Sequence, residues 1–233
     1  MIENNNFVNI DCMEYMKNLA DNHVDLTLTD IPYDGVNLAN ENGLRALKKG
    51  DADVITFDLK SFLDEVYRVT KGTLIIFCGQ GQLSEIFKHY LDIKYQRNEK
   101  ITVRQLVWKK TNPSPINGQY SYLSGSENAV YVRKAGATFN GFCKSNVFEY
   151  PAGTGDLHPT EKNHELLAEL INDNSNVGDL IFDPCAGSGS TLLMARKMGR
   201  EFIGCELNKD YYDKALHRLN IEINQFSIFD FMG

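Results

Sequence analysis

The chain has 233 residues and a formal net charge of −7, with 42% hydrophobic and 24% charged residues. This length fits one α/β domain with a full core, and the composition shows neither a repeat nor a low-complexity tract. The N-terminus lacks the basic and apolar pattern of a signal peptide, and no apolar run approaches the length of a membrane span. We therefore expect a cytoplasmic protein.

The five cysteines are scattered and form no C-x-x-C pair: Cys12, Cys78, Cys143, Cys185 and Cys205. This spacing argues against a disulfide framework and against structural zinc. The histidines likewise form no cluster with metal-ligand spacing. We expect no metal site.

The first half of the chain alternates predicted strands with predicted helices. Strands are predicted over 7–10, 24–30 and 73–78, and helices over 12–19, 59–70 and 82–90. This rhythm is typical of a parallel sheet with both faces covered. Residues 34–57 are rich in Gly, Asn and Asp and are predicted to form a long loop, of the kind that often serves as a lid or recognition element.

In the second half, residues 101–109 and 128–133 alternate like two strands and are predicted to form an antiparallel hairpin at a sheet edge. Residues 136–157 have little periodicity and are predicted to be a loop. The remaining elements return to the βα rhythm. They are a helix over 163–172, a strand over 179–183, a glycine-rich turn leading into a helix that ends near 198, a strand over 201–206 and a helix over 209–224.

Basic residues concentrate in one stretch of the acidic chain. Residues 94–110 contain six basic side chains and one acidic one, Glu99, for a local charge of +5 that leaves −12 for the rest. A basic strip on an acidic body suits a surface that binds duplex nucleic acid.

The strand over 24–30 ends in Asp30-Ile31-Pro32-Tyr33. Asp30 supplies a carboxylate acceptor, and Pro32 holds the Ile31 carbonyl in extended geometry. Tyr33 supplies a flat ring. Two acceptors beside a ring suit a planar heterocycle that carries an exocyclic amino group.

The segment Leu180–Thr191 reads as a strand, a Gly/Ser turn and a helix N-terminus. Such a turn lets a ligand approach the backbone closely, although it is not the dinucleotide G-x-G-x-x-G pattern. The next strand ends in Glu206, whose carboxylate could accept hydrogen bonds from both ribose hydroxyls. This order predicts a nucleoside site.

These motifs resemble those of the amino-group DNA methyltransferases, which methylate adenine at N6 or cytosine at N4. Asp30–Tyr33 resembles their catalytic Asp-Pro-Pro-Tyr motif, and Phe182–Thr191 resembles their S-adenosylmethionine loop. Gly204–Asn208 is similar to their ribose-binding strand. His158–Asn163 is similar to the segment that holds the methionine end of the cofactor, and Ile10-Asp11-Cys12 to the strand whose acid contacts its adenine.

The catalytic motif precedes the cofactor loop, which is the permuted order of the β group. The resemblance implies a Rossmann-like α/β fold with a mostly parallel seven-stranded sheet, an antiparallel edge hairpin and helices on both faces. One domain would span 1–233, with a short target-recognition region at 134–157. Ile31 departs from the usual Pro, but only its backbone carbonyl is used.

The resemblance also implies roles for individual residues. The catalytic residues would be Asp30, Ile31, Pro32 and Tyr33. The cofactor-binding residues would be Asp11, His158, Thr160, Lys162, Asp183, Pro184, Ala186, Gly187, Ser188, Gly189, Ser190, Thr191, Glu206, Leu207 and Asn208. We predict that Lys109, Lys110 and Asn112 on the hairpin contact DNA.

The implied activity is site-specific transfer of a methyl group to the N6 amine of a flipped adenine in double-stranded DNA, as in restriction-modification systems. Asp before Pro-Tyr is commoner in the adenine enzymes, whereas the cytosine-N4 enzymes usually carry Ser. Three alternatives remain: a cytosine-N4 enzyme, a catalytically silent DNA-binding subunit of the same fold, and an enzyme that acts on RNA.

The tail Gln225–Phe229 is similar to the short peptide by which many DNA enzymes dock on the replication sliding clamp. Its alternative role is apolar packing on the domain or at a homodimer contact.

Overall fold

The computed structural model describes residues 5–33, 55–115, 118–120, 122–152 and 161–230, with side chains to residue 221. The strands are β1 (Asn6–Asn9), β2 (Val24–Asp30), β3 (Thr70–Cys78), β4 (Ile101–Lys110), β5 (Ser126–Lys134), β6 (Val147–Tyr150), β7 (Leu180–Asp183) and β8 (Glu201–Glu206). The helices are α1 (Cys12–Lys17), α2 (Leu59–Val69), α3 (Gln80–Gln96), α4 (His164–Asn174), α5 (Ser190–Lys197) and α6 (Lys209–Asp230).

All eight strands form one sheet in the order β1-β8-β7-β2-β3-β5-β4-β6. β5 pairs antiparallel with both β3 and β4, and every other pairing is parallel. The carboxyl ends of seven strands therefore meet at one edge of the sheet, together with the beginning of β5.

The predicted α/β fold is confirmed, with one difference in the sheet. Among the described residues it has eight strands rather than seven, because β6 lies inside the segment 136–157 that was predicted to be a loop. β6 has only four residues, too few for a clear periodic pattern, and it exists through its parallel pairing with Val107–Lys110 of β4. The hairpin of β4 and β5 is consequently one strand in from the sheet edge.

Helices cover both faces of the sheet. Helices α1, α2 and α3 pack on one face, and α4, α5 and α6 pack on the other. Neighbouring residues of β3 divide between the two: Leu74 and Ile76 belong to the first cluster, Ile75 and Phe77 to the second. A strand buried on both faces reads as a continuous apolar run, which explains its sequence.

The last helix is longer than its sequence pattern indicated. The backbone of α6 is helical to Asp230, six residues beyond the predicted end at 224, and so includes residues 225–230 of the tail. Phe231–Gly233 lie outside the described residues. Over the described ranges, no helix combines the length and apolar character needed to cross a bilayer.

Gly72 in β3 gives a test of this packing. A Cβ built there would lie 2.1 Å from the carbonyl oxygen of Asp25, where β2 shifts its register against β3. We expect Gly72→Ala to lower the free energy of unfolding by roughly 1–3 kcal/mol. The control is Gly81→Ala in α3, where nothing lies within 4 Å; it should raise stability by roughly 0.5–1 kcal/mol. Urea titration of both variants checks this, and equal effects would contradict it.

Candidate active site

The candidate site lies at the carboxyl edge, where adjacent strands end in acidic side chains. β8 ends at Glu206, β7 at Asp183 and β2 at Asp30. The strand ends are joined directly, since the Thr29 hydroxyl donates to the Asp183 carboxylate at 2.8 Å. The two sequence motifs, far apart in the chain, therefore lie side by side.

Asp30 belongs to a cluster of charged groups around the Lys162 ammonium. Lys162 Nζ lies 2.5 Å from Asp30 Oδ2 and 2.8 Å from Glu127 Oε2. It also donates to the Tyr33 hydroxyl oxygen at 3.2 Å, and that hydroxyl donates to Glu127 at 3.2 Å. Lys110 pairs with the other oxygen of Glu127 at 2.7 Å. The cluster contains two carboxylates and two ammonium groups.

The same ammonium is surrounded by an aromatic cage, formed by the rings of Tyr33, Phe77 and Trp108. The ring centroids of Tyr33, Phe77 and Trp108 lie 5.5, 5.1 and 6.0 Å from Lys162 Nζ. Trp108 is fixed by its indole N–H, which donates to the Tyr150 carbonyl at 2.9 Å. Flat rings around a cation stabilise positive charge through their quadrupoles. This part of the site is built to hold a positively charged nitrogen.

The protonation behaviour follows from burial and these partners. Burial lowers the pKa of Lys162, but Asp30, Tyr33 and Glu127 outweigh it and the pKa lies well above its usual value. Burial raises the pKa of Glu127, but the Lys162 and Lys110 ammonium groups lower it to about 2. Burial raises the pKa of Asp30, and Lys162 opposes that rise. Lys162 is therefore charged and Glu127 ionised.

The Pro-Tyr turn is held by contacts that the motif does not reveal. Ile31 is buried in the core beneath α1–α3, and its amide donates to the Phe77 carbonyl at 3.2 Å. The Gln82 side chain donates to the Pro32 carbonyl at 2.9 Å and accepts from the Gly79 amide at 2.8 Å. Core packing therefore restrains Ile31, at the position where the family usually has a more rigid proline.

The glycine turn, residues 184–189 between β7 and α5, faces open space at one glycine and packs against a helix at the other. Gly187 has φ +51°, and a Cβ there would meet nothing within 4 Å, so the backbone faces open space. Gly189 has φ +72°, and a Cβ would lie 3.2 Å from that of Ala215 in α6. Gly187 leaves room for a ligand, whereas Gly189 lets the turn pack on a helix.

The Glu206 carboxylate is fixed beside this turn. One oxygen accepts from the Gly187 amide and the other from the Asn208 amide, both at 2.8 Å. Asn208 also caps α6, accepting from the Asp210 amide at 2.9 Å. The open space at Gly187 therefore adjoins a partly exposed carboxylate on the next strand, and this carboxylate can accept hydrogen bonds from the hydroxyl groups of a nucleoside.

The structure places the predicted cofactor residues in two groups. Gly187, Ser188, Glu206, Leu207 and Asn208 are at least partly exposed, as is Asp11, which caps α1 with one oxygen. Buried in the fold are Asp183, Pro184, Ala186, Gly189, Ser190 and Thr191. His158 and Thr160 lie outside the described residues.

Asp183, predicted to bind the cofactor, lies beneath the turn and supports it. It is buried, and Oδ1 accepts from the Thr29 hydroxyl and from the Cys185 amide at 3.1 Å. Burial raises its pKa to about 7, and the hydrogen bonds from Thr29 and Thr191 oppose that rise. The residue joins β2 to the glycine turn.

Residues 161 and 162 connect the two halves of the site. The Glu161 carboxylate accepts from the Ser190 hydroxyl at 2.9 Å and pairs with Arg218 at 2.7 Å. The ammonium of Lys162, a residue that the resemblance assigns to the methionine end of the cofactor, contacts Asp30 in this structure. The sequence motif located this lysine at the site but not its partner, and it gave no signal for Glu127.

The predicted DNA contacts differ in their availability. Lys109 is exposed and pairs with Glu149 at 3.0 Å, whereas Lys110 is only 18% exposed and neutralises Glu127. The Asn112 side chain accepts from the Ala152 amide at 2.6 Å. The basic strip does not form one face: Lys94, Arg97 and Lys100 lie near the start of β4, whereas Lys109 lies near its end.

A carboxylate on a Pro-Tyr turn, beside aromatic rings and an open glycine-rich turn, is the arrangement expected of an S-adenosylmethionine-dependent methyltransferase that acts on an amino group. The family model for N6 and N4 DNA methylases matches residues 24–217. The chain belongs to this DNA methylase family, whose methyl donor is S-adenosylmethionine.

Two curated relatives extend the match over most of the chain. The type II methyltransferase M.HpaI of Haemophilus parainfluenzae is 30% identical over 237 residues, covering 92% of this chain and 74% of the relative. The type II methyltransferase M2.DpnII of Streptococcus pneumoniae is 28% identical, covering 92% and 89% respectively.

Solved structures agree with the fold. The crystal structure of the M1.HpyAVI–SAM complex matches with a TM-score of 0.69 at 26% identity, over 92% of this chain and 98% of that one. The PvuII cytosine-N4-specific DNA methyltransferase matches with a TM-score of 0.68 at 12% identity, over 97% and 93% respectively, which shows the fold alone.

The raised pKa of Asp183 predicts a pH effect on stability. Between about pH 4 and 7 the folded state binds a proton that the unfolded state has released, so the contribution of Asp183 to stability falls as pH rises through this window. Asp183→Asn removes this loss. We expect its stability relative to the parent to rise by roughly 1–3 kcal/mol between pH 4.5 and 8, measured by urea unfolding.

The matched control is Asp213→Asn on the exposed face of α6, where the carboxylate pairs with Lys209. Its stability relative to the parent should stay nearly constant over the same range. A flat difference for Asp183→Asn as well would contradict the prediction.

Proposed function

We propose that the protein is a site-specific DNA methyltransferase that transfers a methyl group from S-adenosylmethionine to the N6 amine of an adenine in double-stranded DNA. The observation that carries this proposal is Asp30 on a Pro-Tyr turn, within an aromatic cage and beside the glycine turn. The relatives named type II methyltransferases support a role in restriction-modification.

Asp30 and the Ile31 carbonyl accept hydrogen bonds from the two hydrogens of the target amine. The amine is a poor nucleophile because its lone pair is delocalised into the ring, and these acceptors favour the tetrahedral nitrogen of the transition state. The positive charge that develops on nitrogen lies between Asp30 and the aromatic cage. Stabilisation directed at developing charge is worth roughly 10²–10³-fold for each group removed.

The cofactor's nucleoside would be held by the Gly187–Ser188 backbone and the Glu206 carboxylate, with Asp11 near its base. His158 and Thr160 are assigned by resemblance to its methionine end. When bound, S-adenosylmethionine supplies a methyl group already activated on a sulfonium. The protein's part is then to align the amine with that group, and Glu161 helps by fixing the position of Ser190 at the turn.

A base within a duplex cannot reach Asp30 and has to leave the stack, at a cost on the order of a few kcal/mol. Stacking on Tyr33 offsets part of this cost. The ring is held for this purpose by its hydroxyl, which contacts both Glu127 and Lys162.

The deciding experiment is mass spectrometry of nucleosides from DNA treated with the protein and labelled cofactor. N6-methyl-2′-deoxyadenosine is the expected product, and N4-methyl-2′-deoxycytidine would replace the proposal with the cytosine alternative. The fold does not separate these, because the PvuII cytosine-N4-specific enzyme has a similar one. No labelled product would favour the silent DNA-binding subunit, and sequencing the methylated positions identifies the recognition site.

We expect Asp30→Ala to reduce methyl transfer by at least ~10²-fold, because the main acceptor for the amine is lost. Cofactor affinity, measured by calorimetry, should stay near normal because Asp30 lies outside the glycine turn. The control is Asp92→Ala on α3, which removes an exposed carboxylate that pairs with Lys88. Retained transfer by Asp30→Ala would refute the assigned role.

We expect Lys109→Glu to weaken binding to all duplex sequences alike and to reduce the dependence of affinity on salt, because one phosphate contact is lost. Lys88→Glu, on an exposed face of α3, is the charge-matched control. Fluorescence anisotropy at several salt concentrations measures both. A loss confined to one sequence would contradict the phosphate role.

A homodimer and docking of the tail on a sliding clamp stay predictions. Deletion of 225–233 should abolish capture by clamp if the tail binds it, and unchanged capture would remove that idea.

A further inference from the structure

We propose that Lys162 is a displaceable counter-ion of Asp30: its ammonium occupies the place of the target amine and moves onto Glu127 when the base enters. The inference rests on the proposed function, since it concerns the same pocket. It assigns Lys162 and Glu127 as positioning residues for substrate binding.

The first support is the match between the ammonium's surroundings and those that an amine requires. Lys162 Nζ donates to Asp30 Oδ2 at 2.5 Å and lies inside the cage of Tyr33, Phe77 and Trp108. The methylated amine of the reaction is likewise a nitrogen with donor hydrogens and positive charge. The ammonium and the amine therefore compete for one carboxylate in one cage.

The second support is that the ammonium has another acceptor within reach. Glu127 Oε2 lies 2.8 Å from Nζ, on the strand beyond β3, and so remains a partner when Asp30 is released. A buried ammonium with no carboxylate would be strongly unfavourable, whereas transfer between two carboxylates keeps it paired. Glu127 makes the displacement feasible.

The third support is that the backbone next to Lys162 is anchored. Glu161 is held by Ser190, Arg218 and His164, and the Asn163 side chain caps α4 by accepting from the Leu166 amide at 3.0 Å. A shift of the ammonium therefore requires rotation of the flexible lysine stem, with the segment staying in place. The side chain is only 8% exposed, so it moves within the pocket.

This arrangement predicts how much more tightly the enzyme binds a target adenine than a target purine, which lacks the exocyclic amine. A purine base lacks the exocyclic amine and leaves the Lys162–Asp30 pair intact. Adenine gains a hydrogen bond to Asp30 but disrupts the Lys162–Asp30 pair. The difference in affinity between adenine and purine is therefore reduced. Without the ammonium, the adenine amine would supply a donor to a buried carboxylate that otherwise lacks one, and its advantage would increase.

The test compares two duplexes that carry either adenine or purine at the target position found by methylation sequencing. Dissociation constants are measured at pH 8 with S-adenosylhomocysteine bound, so that no turnover occurs. We expect Lys162→Met to increase the preference for adenine over purine by about tenfold relative to the parent. Lys88→Met, an exposed lysine of α3, should leave the preference unchanged. Thermal unfolding confirms that the variants are folded.

Glu127→Gln provides a test in the opposite direction. It weakens the second acceptor, so the ammonium should hold Asp30 more firmly and the preference for adenine should fall severalfold. An unchanged or smaller preference in folded Lys162→Met would overturn the inference, as would an unchanged or larger preference in Glu127→Gln. If Lys162→Met does not fold, Glu127→Gln decides. Methyl transfer to adenine by the parent tests the proposed function separately.

Discussion

The ion pair between Lys162 and Asp30 is the interaction on which the organisation of the site depends. It joins the end of β2 to the segment before α4, while the neighbouring Glu161 joins the same segment to the glycine turn through Ser190. Two adjacent residues thus connect the catalytic side of the sheet edge to the cofactor side. Because buried charges are costly unless paired, removal of either partner would leave the other with an unfavourable desolvation energy. These contacts fix the catalytic turn and the glycine turn relative to each other.

Much of the fold could be predicted because its patterns are local. The helices start at caps such as Asp58 and Asn163, and the doubly buried β3 gives a continuous apolar run. β6 could not be predicted because its four residues become a strand only by pairing with β4, a long-range contact without a periodic signature. The predicted end of α6 at residue 224 was six residues too early, since the backbone stays helical to Asp230.

The residues of the site also divide into those found from local sequence motifs and those brought in by long-range contacts. Asp30–Tyr33 and the glycine turn are short, contiguous motifs, whereas Glu127 and Gln82 come from two other elements. One signal could have found Glu127: an antiparallel strand beside β3 has to begin where β3 ends, which places the first residues of β5 next to the catalytic turn. Recognising it required a correct prediction of which strand lies beside β3, which sequence alone does not give.

The pairing of charges also explains how an acidic protein can present a cation-binding cavity beside a surface for polyanionic DNA. Lys110 and Lys162 neutralise Glu127 and Asp30 inside the pocket, and Lys109 is matched by Glu149 at its rim. The pocket interior therefore has two carboxylates balanced by two ammonium groups. When a neutral amine displaces the Lys162 ammonium from Asp30, the net charge of the pocket does not change. The Asp30 carboxylate is then free to stabilise the charge that develops on the amine. Such a site holds its reactive carboxylate neutralised until the group it acts on arrives.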